Sequence, residues 1–292
     1  MSLHRAAIAI ASILLTLGSF LGVSQMSTLL PAYAGNALRP SLTPSPVPER
    51  FPIAEDLYGR QIREDVFIFT HEFPWPANSM LVVMGDGTLV LVDTPYTPQA
   101  TEALVGWMRQ EFGERDLIAI NTGFHVDNLG GNSYLVAQDI PVYGSDMTAQ
   151  LLAERGESTR AYLLEWLQGV PNQRFREAHA AIPYTPPNHL FPLEEGIEFE
   201  FGSEVVQVYY PGPSHTLDNV VVYFPTQRIL FGGCMILAGE QLGNTEDANL
   251  DAWPQSVRAL TQFEFDILVP GHGDRFDTEL IQHTLELLGP RP

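Results

Sequence analysis

The chain has 292 residues, 35 acidic against 15 basic side chains, and a formal charge of −20. Every basic residue is arginine and no basic cluster occurs, which argues against a nucleic-acid footprint and against anionic membrane surfaces. A single cysteine, Cys234, has no disulfide partner within the chain.

Residues 1–34 read as an export signal. Arg5 supplies the positive flank, Ala6 to Val23 the apolar core, and Ala32-Tyr33-Ala34 the small-x-small cleavage signature before Gly35. The expectation is a periplasmic protein with no stable membrane partner after cleavage; the alternative is an uncleaved N-terminal anchor. Residues 35–50 form a proline-rich linker, Arg39-Pro40-Ser41-Leu42-Thr43-Pro44-Ser45-Pro46-Val47-Pro48 at its centre, which cannot build a regular element. Residues 51–292 are expected to fold as one domain with a substantial core.

Within it, Ser79 to Met84 and Thr88 to Asp93 flank Gly85-Asp86-Gly87 and predict a β-hairpin. Thr97-Pro98 then opens an amphipathic helix, threonine as N-cap and proline in the first turn, with Leu104, Trp107, Met108 and Phe112 on one face. Leu117 to Ile120 is a buried strand running straight into a loop that carries His125 and Asp127. Met147 to Leu167 is helical, with Ser158 capping a restart after Gly156. Its bulky side, Tyr162, Leu163, Leu164, Trp166 and Leu167, either packs ordinarily or covers a groove. Strands follow at Glu204 to Tyr210, Asn219 to Phe224 and Arg228 to Phe231. A helix over Pro254 to Phe263, a strand at Ile267 to Val269 and a helix over Asp277 to Leu288 complete the chain. Two halves of strands followed by helix imply an α/β protein with two sheets packed between helices.

Potential ligands stand just beyond the strand ends: His125 and Asp127, His215 in Gly212-Pro213-Ser214-His215-Thr216, Cys234 after Gly232-Gly233, and His272 in Pro270-Gly271-His272-Gly273. Each motif alone reads more readily as a turn than as a ligand. Together, thiolate, carboxylate and imidazole favour zinc with an open coordination position, and a metal would protect an otherwise reactive thiol.

Several longer motifs accompany these ligands: Val92-Asp93-Thr94-Pro95, Asn121-Thr122-x-x-His125-x-Asp127, Gly130-Gly131-Asn132, His215-Thr216-x-Asp218-Asn219, Leu242-Gly243-Asn244 and Phe231-Gly232-Gly233-Cys234. On these motifs the chain resembles the class B, zinc-dependent β-lactamases of the metallo-β-lactamase superfamily, from about Ile62 to Leu288. The resemblance implies a four-layer αββα sandwich, a small-molecule β-lactam substrate and a monomer. It also implies a zinc site of Asp127, Cys234 and His272, with His125 and His215 belonging to a second site.

In that family a third histidine stands where this chain has Gly123. The resemblance is therefore nearest to the one-zinc, carbapenem-selective subclass, with one zinc bound tightly and a second weak or absent. Restoring histidine at Gly123 is expected to strengthen the second site. A lysine that pairs with the substrate carboxylate is replaced by Leu237, and a familiar arginine by Asn128.

By the same resemblance, Asp127 or His125 deprotonates the attacking water, His215 hydrogen-bonds the carbonyl or the water, and Asn244 donates to the developing oxyanion. An asparagine beside glycine is equally a turn residue. Asp93 and Asp218 are expected to orient neighbouring loops. His71, His179, His189 and His283 are expected in packing or surface roles. Two other functions fit the same residues: hydrolysis of another cyclic amide, ester or lactone, and non-catalytic zinc binding.

Overall fold

The computed structural model describes residues 49–289, so the expected signal and all but the end of the linker lie outside the described residues. Strands β1 (Phe51–Ala54), β2 (Leu57–Arg63), β3 (Val66–Glu72), β4 (Pro76–Val83) and β5 (Leu89–Val92) pair in sequence as an antiparallel meander. Helix α1 (Pro98–Phe112) follows, with the Thr97 hydroxyl accepting a hydrogen bond from the Ala100 N–H at 3.1 Å. It crosses over to β6 (Leu117–Ile120), parallel to β5. Short helices α2 (Val126–Leu129) and α3 (Asn132–Ala137) lead to β7 (Val142–Ser145), and helices α4 (Asp146–Trp166) and α5 (Gln173–Ala181) lead to β8 (His189–Phe191). Both strands are parallel additions that extend the first sheet to eight strands in chain order.

The second sheet begins with an antiparallel run of β9 (Ile197–Phe201), β10 (Glu204–Tyr209), β11 (Val221–Phe224) and β12 (Ile229–Gly233). Helix α6 (Trp253–Ala259) carries the chain to β13 (Ile267–Pro270), parallel to β12, and α7 (Leu280–Leu288) closes the domain.

Strand alternation dictates the layers. On the first sheet Ile68, Met80, Val82, Val90 and Val92 face Val206, Val222, Phe224, Phe231 and Val269 of the second. The alternate residues Phe67, Phe69, Leu81, Leu89 and Leu91 turn outward and pack against Leu104 and Met108 of α1. Val221, Tyr223 and Leu230 likewise turn outward onto Trp253, Val257 and Leu280. Sheets apolar on both faces must be covered on both, and the result is the helix–sheet–sheet–helix order.

Three local expectations change. Helix α4 runs unbroken through Gly156; its cap is Ser145, whose hydroxyl accepts from the Thr148 N–H at 2.9 Å, while Ser158 donates back to the Arg155 carbonyl. Glycine suits position 156 because a Cβ would lie 3.1 Å from the Tyr184 ring. Helix α7 starts at Leu280 because the Asp277 carboxylate is engaged by Arg275 and by the Glu279 N–H. The segment carrying Asp127 is a short helix, α2, with His125 at its N-cap position.

The α4–α5 hairpin is stitched to itself and to the β3–β4 turn. Arg160 donates to the carbonyls of His179 and Ile182 and stacks 3.8 Å over Tyr184, while His179 Nε2 donates to the Phe73 carbonyl. Leu163 and Leu167 are taken up by packing, whereas Trp166 is 62% exposed. His71 is buried beside Phe73, His189 stacks on Tyr143, and His283 donates to the Gly239 carbonyl. No helix among the described residues is long and apolar enough to cross a membrane.

Candidate metal centre

Four chain turns at the ends of β6, β10, β12 and β13 supply the centre. Asp127 Oδ2 lies 3.0 Å from His272 Nε2 and 3.2 Å from Cys234 Sγ, and the sulfur lies 3.7 Å from His272 Nε2. Tetrahedral zinc bonded at roughly 2.0–2.3 Å to N, O and S spaces its ligand atoms about 3.3–3.7 Å apart. The three groups therefore fit such an ion with little movement, and they form the one cluster of this kind among the described residues.

His272 is aimed by its neighbours. The His272 ring donates from Nδ1 to the Pro76 carbonyl at 2.7 Å, which leaves Nε2 to face Asp127 and Cys234. Asn78 holds the His272 turn, donating to the carbonyls of Pro270 and Gly273 while its own N–H bonds the Gly271 carbonyl. Gly271 must lack a side chain, since a Cβ there would sit 2.8–2.9 Å from the Cys234 backbone N and Sγ.

Beneath the centre, buried Asp93 accepts from the Thr122 N–H and hydroxyl at 2.7 Å each and from Asn128 Nδ2 at 3.0 Å. The same Asn128 amide reaches Cys234 Sγ at 3.7 Å. Asp218, bonded by the hydroxyls of Thr216 and Thr148, ties the His215 turn to the start of α4.

The three groups are electrostatically coupled. Burial, reinforced by the nearby carboxylates of Asp127 and Asp93, pushes the Cys234 thiol well above its usual range, so its S–H donates to Asp127. Burial opposes ionisation of Asp127, but the hydrogen bond and charge of His272 outweigh it and hold the carboxyl far below its usual range. Desolvation of the inner edge of His272 is likewise outweighed by Asp127, which raises the imidazole. All three groups bind a divalent ion in their deprotonated forms, so metal binding here is coupled to proton release.

The second pair is different. The His125 and His215 rings stand perpendicular with centroids 5.2 Å apart, and His215 packs edge-on to Trp253. Burial, with His125 adding to it, lowers His215 to about 3, so it is neutral at ordinary pH. His125 Nε2 donates to Asp247 Oδ2 at 2.9 Å, and Arg155 Nη1 donates to the other oxygen at 2.9 Å. Sequence reasoning missed Asp247, Arg155 and Asn78. Asp247 lies in an acidic surface-like run and Arg155 is 92 positions away, so neither carries a local signal.

Asn244 is exposed, and its Oδ1 accepts from the Glu246 N–H at 3.1 Å, a local turn. Leu237 is half-buried against the Trp253–Leu280 cluster, with its N–H donating to Thr284.

At Gly123 an added Cβ would lie 2.7 Å from Asn219 Nδ2 and 3.2 Å from Asn128 Oδ1. Asn219 cannot easily yield, because its Oδ1 accepts from the Thr216 N–H and the Ser214 hydroxyl beside His215. The expectation that histidine at this position simply restores a ligand is therefore corrected: the room is already filled. Gly123→His should destabilise the fold by about 1–3 kcal/mol and leave second-metal affinity no higher. Thermal melts and zinc titration check this, and a tighter second site at unchanged stability would contradict it.

Burial raises Asp93 from 3.8 to about 8, against the pull of its Thr122 and Asn128 donors. Between those values the unfolded carboxyl loses its proton while the folded one keeps it. Stability should therefore fall with rising pH, by at most ~1.4 kcal/mol per unit for one proton. In zinc-free protein, denaturant titrations of Asp93→Asn from pH 4 to 8 should give a flatter profile than wild type; equal slopes would place an ionised Asp93 in the fold.

Comparison with known proteins matches this architecture. The family described as the Metallo-beta-lactamase superfamily matches residues 73–272. A metallo-beta-lactamase type 2 of Pseudomonas aeruginosa is 33% identical, over 79% of this chain and 84% of that protein. One from Bacteroides fragilis is 31% identical, over 81% and 87%. Among solved structures, a metallo-beta-lactamase from Pontibacter korlensis superposes with a TM-score of 0.67 at 32% identity, covering 80% of this chain and all of the other. DIM-1 metallo-beta-lactamase superposes at 0.65 with 30% identity, covering 80% and 97%. With the strand-end ligands in place and these similarities across the folded part, the chain belongs to the metallo-β-lactamase superfamily.

Proposed function

We propose that the protein hydrolyses the amide bond of β-lactams with a zinc ion held by Asp127, Cys234 and His272. The observation that carries this reading is the 3.0–3.7 Å spacing of those three ligand atoms at the strand ends. One zinc is bound tightly there; a second, offered only His125 and His215 because Gly123 supplies nothing, binds weakly or not at all.

Zinc supplies Lewis acidity toward the lactam and its leaving nitrogen. The chain's own groups do the rest. Oδ2 of Asp127 faces Cys234 and His272 and would hold the zinc with them, so its other oxygen would be free to orient and deprotonate the attacking water. His125 offers Nδ1 for the same task, since Nε2–H is held by Asp247. Neutral His215 hydrogen-bonds the carbonyl oxygen or the water. Asn244 keeps its amide N–H groups clear of its turn, whose bond uses Oδ1, and can donate to the oxyanion. Water adds to the carbonyl, the C–N bond breaks, and the nitrogen takes a proton, giving the ring-opened β-amino acid.

The export signal read over residues 1–34 supports a periplasmic monomer that confers β-lactam resistance, with an uncleaved N-terminal anchor as the alternative. Substrates are small molecules; the charge of −20 disfavours nucleic acid.

Leu237 favours a second reading. With an apolar side chain where the family has its carboxylate-binding lysine, an uncharged cyclic amide, ester or lactone suits the cleft, because a charged partner is worth about 1.5–3 kcal/mol.

Purified protein should hold about one tightly bound zinc and hydrolyse at least one penicillin, cephalosporin or carbapenem. Zinc-loaded protein that opens a neutral lactone but no β-lactam would establish the second reading instead. Cys234→Ser should lose tight zinc and most activity, because a hydroxyl is a far poorer anionic ligand. A chelator should lower the melting temperature of wild type but not of the mutant. If both melt alike with and without chelator, Cys234 is a packing residue.

A further inference from the structure

We propose that Arg155, on the middle of α4, is a positioning residue for His125, acting through Asp247 to decide which imidazole nitrogen faces the metal cleft. The inference rests on the reading of His125 and His215 as a second metal position.

The geometry is a three-member chain. Arg155 Nη1 donates to Asp247 Oδ1 at 2.9 Å, and His125 Nε2 donates to Asp247 Oδ2 at 2.9 Å. The Asp247 side chain is 10% exposed and the His125 side chain 8%, whereas Arg155 is 42% exposed. A carboxylate this buried needs its oxygens engaged, and among the described residues each oxygen has one such side-chain partner. One oxygen orders the imidazole. The other is held by a guanidinium delivered from a different layer of the fold.

No other residue at hand replaces it. Position 128, one turn from His125, carries asparagine, and its amide is spent on Asp93 and Cys234. Arg155 is not needed to seat α4. The helix is capped by Ser145, tied through Thr148 to Asp218, and locked to α5 by Arg160. Its side chain is therefore committed to Asp247 rather than to the general packing.

Without Arg155, Asp247 loses the contact that fixes its rotamer and can turn its carboxylate to water. Nε2–H is then no longer held, and the imidazole can exchange tautomers or rotate. A nitrogen that carries a proton cannot bind a metal, so a mixed tautomer weakens the second position while leaving Asp127, Cys234 and His272 untouched.

The test is long-range ¹H–¹⁵N spectroscopy of the histidine rings in zinc-free protein, with titration of zinc beyond the first equivalent. Wild type should show His125 as a single Nε2–H tautomer. Arg155→Ala should show averaged nitrogen shifts and a second-metal affinity about tenfold weaker, with first-metal affinity and thermal stability unchanged. Arg155→Lys should recover part of both signals, and Asp247→Ala should reproduce the tautomer change in full. A single, unaltered His125 tautomer in Arg155→Ala, beside a disturbed one in Asp247→Ala, would overturn the proposal and leave Arg155 a surface partner. The ring spectra need no bound metal or turnover, so they decide the matter even if the protein proves inactive on β-lactams or takes up only one zinc.

Discussion

Asp127, Cys234 and His272 bring a carboxylate, a thiol and an imidazole to within 3.7 Å of one another. Groups that close cannot all take their metal-binding forms unless a cation sits among them. Burial pushes the Cys234 thiol up, and Asp127 raises the His272 imidazole. Much of the surrounding architecture enforces that approach. Asn78 clamps the His272 turn, Gly271 removes the side chain that would hold it away, and Asp93 with Asn128 supports the floor beneath the sulfur. Two sheets packed face to face make this affordable, since their strand ends are where polar turns can converge without interrupting an apolar core.

The other half of the cleft is rebuilt rather than merely depleted. Gly123 lacks an imidazole, but Asn219 fills the room and uses its amide to hold the Thr122 carbonyl and the turn that carries His215. Asn128, where the one-zinc subclass has arginine, is absorbed into the network under Cys234, and the Arg155 guanidinium reaches Asp247 from α4. Leu237 turns a charged position into part of the outer core around Trp253.

The α4–α5 hairpin links these two halves. It rests on Phe73, Tyr96 and Val126, the last of these adjacent to Asp127, through Leu163, Phe175 and Tyr184. Arg160 closes the end of α5, and Arg155 reaches the second pair of histidines. Its apolar side is mostly consumed by packing, which leaves Trp166 as its exposed aromatic. The hairpin is therefore both a wall of the domain and a source of polar contacts to the cleft.

Much of this was readable from residue order. The two-sided apolar strands, the Thr97-Pro98 helix start and the ligands just beyond strand ends all follow from local pattern, because periodicity, capping and turn chemistry act over a few residues. The absence of a ligand at Gly123 was equally plain. What occupies its space was not, since Asn219 lies 96 positions further along and meets it only when two turns pack together. The same holds for Arg155 and Asp247, and for the unbroken course of α4, where Gly156 leaves room for the Tyr184 ring rather than marking a stop. Local sequence determined which elements form and which residues can bind metal. Tertiary packing decided which polar groups serve one another, because a buried donor or acceptor takes the nearest partner in space, whatever its distance along the chain.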